Sequence, residues 1–217
     1  MVKIAAFYYA PMETVGHGWK GDYEQIIRIF CNSARRVGIS PIHICPNNCK
    51  PVTEFYFNCN SSGSQLVFER ELAYLQFAEK AEEQFIICDP DQVFLRPVPK
   101  LAKDKHFGVC FRRKEGAAFN GPRIFQPGVL KPLEWTINNM RFMTDAYKTW
   151  DGDSVAFENA VYKYASLTGT QTVEVLDEKY YQSRPALGAN SSAIMYHFKG
   201  RNGKNEMLQY AQENGLI

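Results

Sequence analysis

The stretch Phe85-Ile86-Ile87-Cys88-Asp89-Pro90-Asp91 passes from four apolar residues directly into two carboxylates separated by one proline. That is the profile of a buried strand ending in a polar site. Pro90 holds its own φ near −65° and steers Asp89 away from the helical region, so the Asp-Pro-Asp unit is extended and stiff. In an extended chain, positions i and i+2 face the same way. Asp89 and Asp91 can therefore converge on one cation, and such an oxygen-rich pair suits Mn²⁺ or Mg²⁺ carrying a diphosphate. A solvated turn is the competing reading of the same tripeptide, because Asp and Pro are common turn residues.

Working outward, the flanking segments read as alternating strands and helices. Lys3 to Tyr9 is an apolar, aromatic strand that Ala10-Pro11 ends, and the loop from Met12 to Gly21 follows at the strand's carboxyl end, where α/β proteins meet their ligands. Ile26, Phe30, Ala34 and Val37 form one helical face, with Asp22 as cap and Gly38 as stop. Pro41 to Cys45 is a second strand, which completes a right-handed βαβ unit. A further helix is predicted from a Ser64 cap, with Val67, Glu71, Leu75 and Ala78 in one stripe, and it leads into the Phe85 strand. Beyond Asp91, strands are predicted at His106 to Phe111, Ile124 to Gln126 and Thr172 to Leu176, and helices at Leu133 to Trp150 and Ser154 to Ala165. The basic run Arg112-Arg113-Lys114 reads as a solvated loop or as a contact for an anionic ligand.

Composition narrows the class. The 217 residues carry no internal linker or repeat and lead us to expect one domain, 1–217. With 45% hydrophobic and 22% charged residues, fibrous and disordered classes are excluded. Lys plus Arg (25) nearly balances Asp plus Glu (23), which leaves no global field for nucleic acid or membrane. The six cysteines lie in apolar or strand-like segments and read as reduced thiols of a cytoplasmic protein. Cys45, Cys49 and Cys59 invite comparison with a zinc site, but no fourth ligand follows at regular spacing. No apolar run approaches the ~20 residues that span a bilayer.

Four stretches, in order, resemble retaining nucleotide-sugar glycosyltransferases of family 8, the glycogenin and lipopolysaccharide galactosyltransferase group. They are Phe85 to Pro97 with its Asp-x-Asp motif, Phe119-Asn120-Gly121-Pro122-Arg123, Trp150-Asp151-Gly152-Asp153-Ser154, and His197-Phe198-Lys199-Gly200-Arg201-Asn202-Gly203-Lys204. The chain departs from the family pattern at Ser154, where the family has Gln, at Pro122, where it has a second Gly, and at Lys204, which sits one residue late. The resemblance implies a GT-A fold, a Rossmann-like α/β domain with a mixed, mostly parallel sheet flanked by helices. It also implies transfer of a hexosyl group from a UDP-sugar to an acceptor hydroxyl with retention.

The resemblance implies Mn²⁺ held by Asp89, Asp91 and His197. Carboxylate oxygens with one imidazole suit that ion better than Ca²⁺. It implies donor contacts from Phe7, Tyr8, Tyr9 and Ala10 at the end of the first strand, from Arg70, and from Gly200 and Lys204. Asn120 and Asp153 are the expected sugar contacts at the reacting centre. The acceptor is open among glycans, proteins and modified nucleic-acid bases. Two other readings stand beside this one. A sugar nucleotidyltransferase would show a Gly-rich, basic phosphate loop after the first strand, which Ala10 to Lys20 matches poorly. A non-catalytic nucleotide-sugar-binding module would keep the fold without turnover.

Overall fold

The structure, a computed structural model, describes residues 3–7, 21–47, 50–52, 56–59, 65–110, 121–149, 152–185 and 190–217. Its strands are β1 (Lys3–Phe7), β2 (Ser40–Pro46), β3 (Tyr56–Cys59), β4 (Phe85–Ile87), β5 (Gln92–Phe94), β6 (Phe107–Cys110), β7 (Arg123–Phe125), β8 (Val173–Leu176) and β9 (Met195–His197). The helices are α1 (Tyr23–Arg36), α2 (Leu66–Ala78), α3 (Lys131–Arg141), α4 (Asp145–Thr149), α5 (Gly152–Thr168), α6 (Glu178–Tyr181) and α7 (Gly200–Glu213). Seven strands form one sheet in the order β3-β2-β1-β4-β7-β6-β8, and β5 pairs with β9 in a separate ribbon. Within the large sheet β7 alone runs against its neighbours.

The central strands are apolar on both faces, so each face needs a cover. On β1, Ile4 and Ala6 join the core built with Ile26 and Phe30 of α1 and Met207 of α7, while Ala5 and Phe7 point oppositely, toward Tyr74 and Phe77 of α2 and Phe157 of α5. The same alternation separates Ile86 from Phe85 and Ile87 on β4. Across three strands, Phe85, Phe125 and Phe107 stand in register and stack at centroid separations of 5.4 and 5.6 Å. Burial of each such ring stabilises the fold by about 1.5–3 kcal/mol.

Local signals explain most boundaries. Asp22 accepts a hydrogen bond from the Glu24 N–H at 2.8 Å and starts α1, and Gly38, at φ 75°, ends the turn after it. One expectation is corrected. The helix predicted over Leu133 to Trp150 is two helices, because Thr144, a residue type that favours helix starts over interiors, opens a new turn at α4. β3 was not foreseen: a four-residue edge strand with a single pairing neighbour has little local signature. The basic segment after His197 begins helix α7. Ser64, the expected cap of α2, lies outside the described residues; Gln65 stands at that helix's capping position without a side-chain cap.

Cys31, Cys45, Cys59, Cys88 and Cys110 are buried, and Cys45 Sγ donates to Asn58 Oδ1 at 3.4 Å. Cys49 and the Arg112 to Lys114 run lie outside the described residues. Among the described residues no helix is long and apolar enough to cross a membrane.

Candidate active site

In chain order the large sheet grows outward from β1 through β2 to β3, then returns to place β4 on β1's other side. Ligands of open α/β sheets bind outside the carboxyl ends of strands at such a reversal. Cys88 N–H still donates to Ala5 O at 3.2 Å, so Asp89 emerges immediately past the last bond between β4 and β1. The paired carboxylates thus stand at the crevice mouth.

The β5–β9 ribbon brings the distant carboxy-terminal segment to them. Gln92 pairs with His197, and Phe198 N–H donates to Asp91 O at 2.9 Å. His197 Nε2 consequently lies 3.3 Å from Asp91 Oδ1. Yet that oxygen has no hydrogen bond of regular geometry among the described residues. One ligand atom each from Asp89, Asp91 and His197 lies within 4.8 Å of the other two, and among the described residues this is the one such group. Two carboxylates and one imidazole form a donor set that fits Mn²⁺ or Mg²⁺. From α7, Lys204 Nζ stands 3.3 Å from Asp91 Oδ2, with the Tyr23 ring beneath it. Burial raises the Asp91 carboxyl, but His197 and Lys204 outweigh it and hold the group below the usual carboxylate range.

On the other side of Asp89 runs a chain of buried charges. Arg70 of α2 donates to Asp89 Oδ1 at 3.0 Å and to Asp153 Oδ2 at 2.5 Å. Arg123 of β7 donates to the same Asp153 oxygen at 3.3 Å and to Glu71 Oε2 at 2.6 Å, with its guanidinium 4.0 Å from the Phe157 ring centre. Burial disfavours the charge on Arg70, but Asp153 and Asp89 more than compensate and raise its pKa. For Glu71 the balance falls the other way: burial raises the carboxyl, and Arg123 only partly offsets it. Asp153 occupies the first turn of α5, where the helix dipole favours an anion. Gly152 is required beside it, since an added Cβ would lie 2.4 Å from Tyr147 O. Arg70, Tyr74, Asp89, Gly121, Arg123 and Asp153 line a small polar pocket.

The structure therefore gathers Arg70, Asp89, Asp91, Asp153, His197 and Lys204 into one place. Phe7 ends β1, but its side chain is part of the core. Gly200 opens α7 at φ 80°, and with no atom within 4 Å of an added Cβ, backbone conformation and not crowding favours glycine there. Tyr8, Tyr9, Ala10 and Asn120 lie outside the described residues. Sequence reasoning gave no role to Glu71 or Arg123. The signals were an acid on the apolar stripe of α2 and an arginine inside a buried strand.

A seven-stranded, mixed and mostly parallel α/β sheet flanked by helices matches the fold of GT-A glycosyltransferases. A glycosyltransferase involved in glycosylation of the major capsid of PBCV-1 superposes with a TM-score of 0.60 at 14% identity, covering 94% of this chain and 98% of that one. An active-site mutant of LgtC gives 0.58 at 12% identity, covering 98% and 96%. The glycosyltransferase GlyE of Streptococcus pneumoniae TIGR4 gives 0.56 at 12% identity, covering 99% of this chain and 63% of that one. No protein-family model matches the sequence. No curated protein matches it either.

Proposed function

We propose that this protein is a divalent-metal-dependent, retaining glycosyltransferase that moves a hexosyl group from a nucleoside diphosphate, with uridine as the base, to an acceptor hydroxyl. The observation that carries the reading is the convergence of Asp89, Asp91 and His197 at the sheet's reversal point. These residues would hold Mn²⁺ or Mg²⁺, which when bound neutralises the charge that develops on the departing diphosphate. Lys204 places a cation beside the same phosphate, on a rigid helix. Arg70 spans Asp89 and Asp153 and ties the metal-facing carboxylate to the sugar-facing one. Asp153 and Asn120 hold the hexose by its hydroxyls and orient the anomeric carbon. The acceptor oxygen attacks the face from which the diphosphate departs, and the leaving phosphate takes its proton. Asp153 acts as a positioning group: its Oδ2 accepts from both Arg70 and Arg123, which fixes the carboxylate in place.

The test is donor hydrolysis. Purified protein incubated with UDP-, GDP- and ADP-sugars should release the sugar slowly from the UDP donor, and only with Mn²⁺ or Mg²⁺ present. Asp91→Asn should remain folded and lose this activity, since the site loses one charge while its shape barely changes. Undiminished turnover by that variant, or by wild type in EDTA, would overturn the metal assignment.

A further inference from the structure

Gln92 and His197 are directly opposed in the β5–β9 ribbon. Backbone bonds fall on the neighbouring Asp91 and Phe198 pair and again at Leu95 and Ile194, both at 2.9 Å. By alternation, Gln92 and His197 form a non-hydrogen-bonded pair, whose side chains share one face with Cβ atoms about 4.5–5.5 Å apart. Both residues are buried, Gln92 completely. Among the described residues neither amide atom of Gln92 has a hydrogen-bond partner, and neither does His197 Nδ1.

A fully buried glutamine satisfied at neither end carries a penalty that Leu or Met in the same space would avoid. Chemistry at the neighbouring ring supplies a reason. His197 turns Nε2 toward Asp91, which leaves Nδ1 as the other nitrogen. A metal-bound imidazole almost always donates from its second nitrogen to an acceptor that fixes its tautomer and ring plane. We infer that Gln92 is the positioning residue of the metal site: its Oε1 accepts the Nδ1–H of His197 when Nε2 binds the cation. The inference rests on the metal site proposed above and adds to it a residue that touches neither metal nor donor.

The probe is Mn²⁺ alone, titrated into the full chain and followed by the electron paramagnetic resonance signal of the free ion. Wild type should bind, and Gln92→Leu should bind about 10–100-fold more weakly. Without metal the Leu variant should melt at the same temperature as wild type or higher, because two unsatisfied buried atoms are gone. Gln92→Glu, which keeps the acceptor, should restore binding. Should the Leu variant fail to fold, Gln92→Met provides the same comparison with a closer shape. Equal affinity of the Leu or Met variant and wild type overturns the role of Gln92 while leaving the metal site standing. So does equal weakening by the Glu and Leu substitutions. If His197→Ala binds Mn²⁺ as well as wild type, the ligand assignment itself fails and the role of Gln92 with it.

Discussion

Glu71 has no exposed surface, yet it carries a carboxylate into the middle of a helix that is apolar on most sides. Its partner Arg123 is equally deep, and the pair extends through Asp153 and Arg70 to the exposed edge of Asp89. Removing one member of a buried pair leaves the other uncompensated, at a cost of about 3–5 kcal/mol. Glu71→Gln should therefore lose that much stability in urea denaturation. Glu71→Met combined with Arg123→Met should recover part of it, because two apolar side chains leave no unpaired charge. A loss below about 1 kcal/mol for the single variant would mean that this chain of charges does not support the site. Asp153, at the centre of the chain, belongs to the reacting sugar in our proposal. Asp153→Asn should depress turnover far more than UDP affinity measured by calorimetry. Equal loss of both would move Asp153 to the nucleotide subsite or to the fold.

At the scale of elements, α7 matters most for the site, because it holds Lys204 against Asp91. Its first turn packs on the end of β9 so closely that a Cβ at Gly203 would lie 2.4 Å from Phe198 C and 2.5 Å from its O. Backbone cannot yield as a flexible side chain can. Gly203→Ala should push the helix away, destabilise the protein by about 1–3 kcal/mol and weaken UDP binding as Lys204 withdraws. Gly38→Ala is the control: it has no neighbour within 4 Å, so only its φ of 75° is strained, at a cost of roughly 1–2 kcal/mol, with UDP affinity unchanged. If both variants bind UDP like wild type, the position of α7 does not set phosphate affinity.

For the whole molecule, the ribbon of β5 and β9 joins the middle of the chain to its carboxy-terminal segment at a single site. Metal and nucleotide held between the two segments should each tighten the other, by the same factor in both directions. Calorimetry of UDP with and without Mn²⁺ measures that coupling, and residues 196–205 should resist proteolysis best when both are present. Independent binding would argue against a shared coordination shell. Stability at high pH depends on another buried group. Burial, with Glu174 adding to it, pushes the Tyr181 phenol up to about 12 from an ordinary value of 10.0. The unfolded chain ionises first, so the contribution of this phenol is fully present below pH 10 and is lost as pH rises toward 12. Tyr181→Phe should accordingly lose less stability than wild type over that interval, as followed by alkaline unfolding.

What the amino-acid order determined by itself is what local chemistry can dictate. The four apolar residues before Asp89 made a strand and its abrupt polar end. Pro90 stiffened the pair, Asp22 and Gly38 bounded α1, and the alternation of strand and helix implied a βαβ unit. Asp89 and Asp91 stood out as a pair that could converge on one cation because of their type and spacing, while His197, Arg70, Asp153 and Lys204 were singled out only through the family resemblance. Only the tertiary structure decided the rest, because it depends on pairing between residues far apart in the chain. β3 exists through its neighbour β2, α4 packs against α2 and α5, Glu71 and Arg123 meet across two elements, and Gln92 is brought opposite His197. A buried charge or amide has no meaning in a one-dimensional reading, where it looks like an interruption of an apolar pattern. The folded chain gives Glu71 and Arg123 each other as partners, and it sets Gln92 opposite His197.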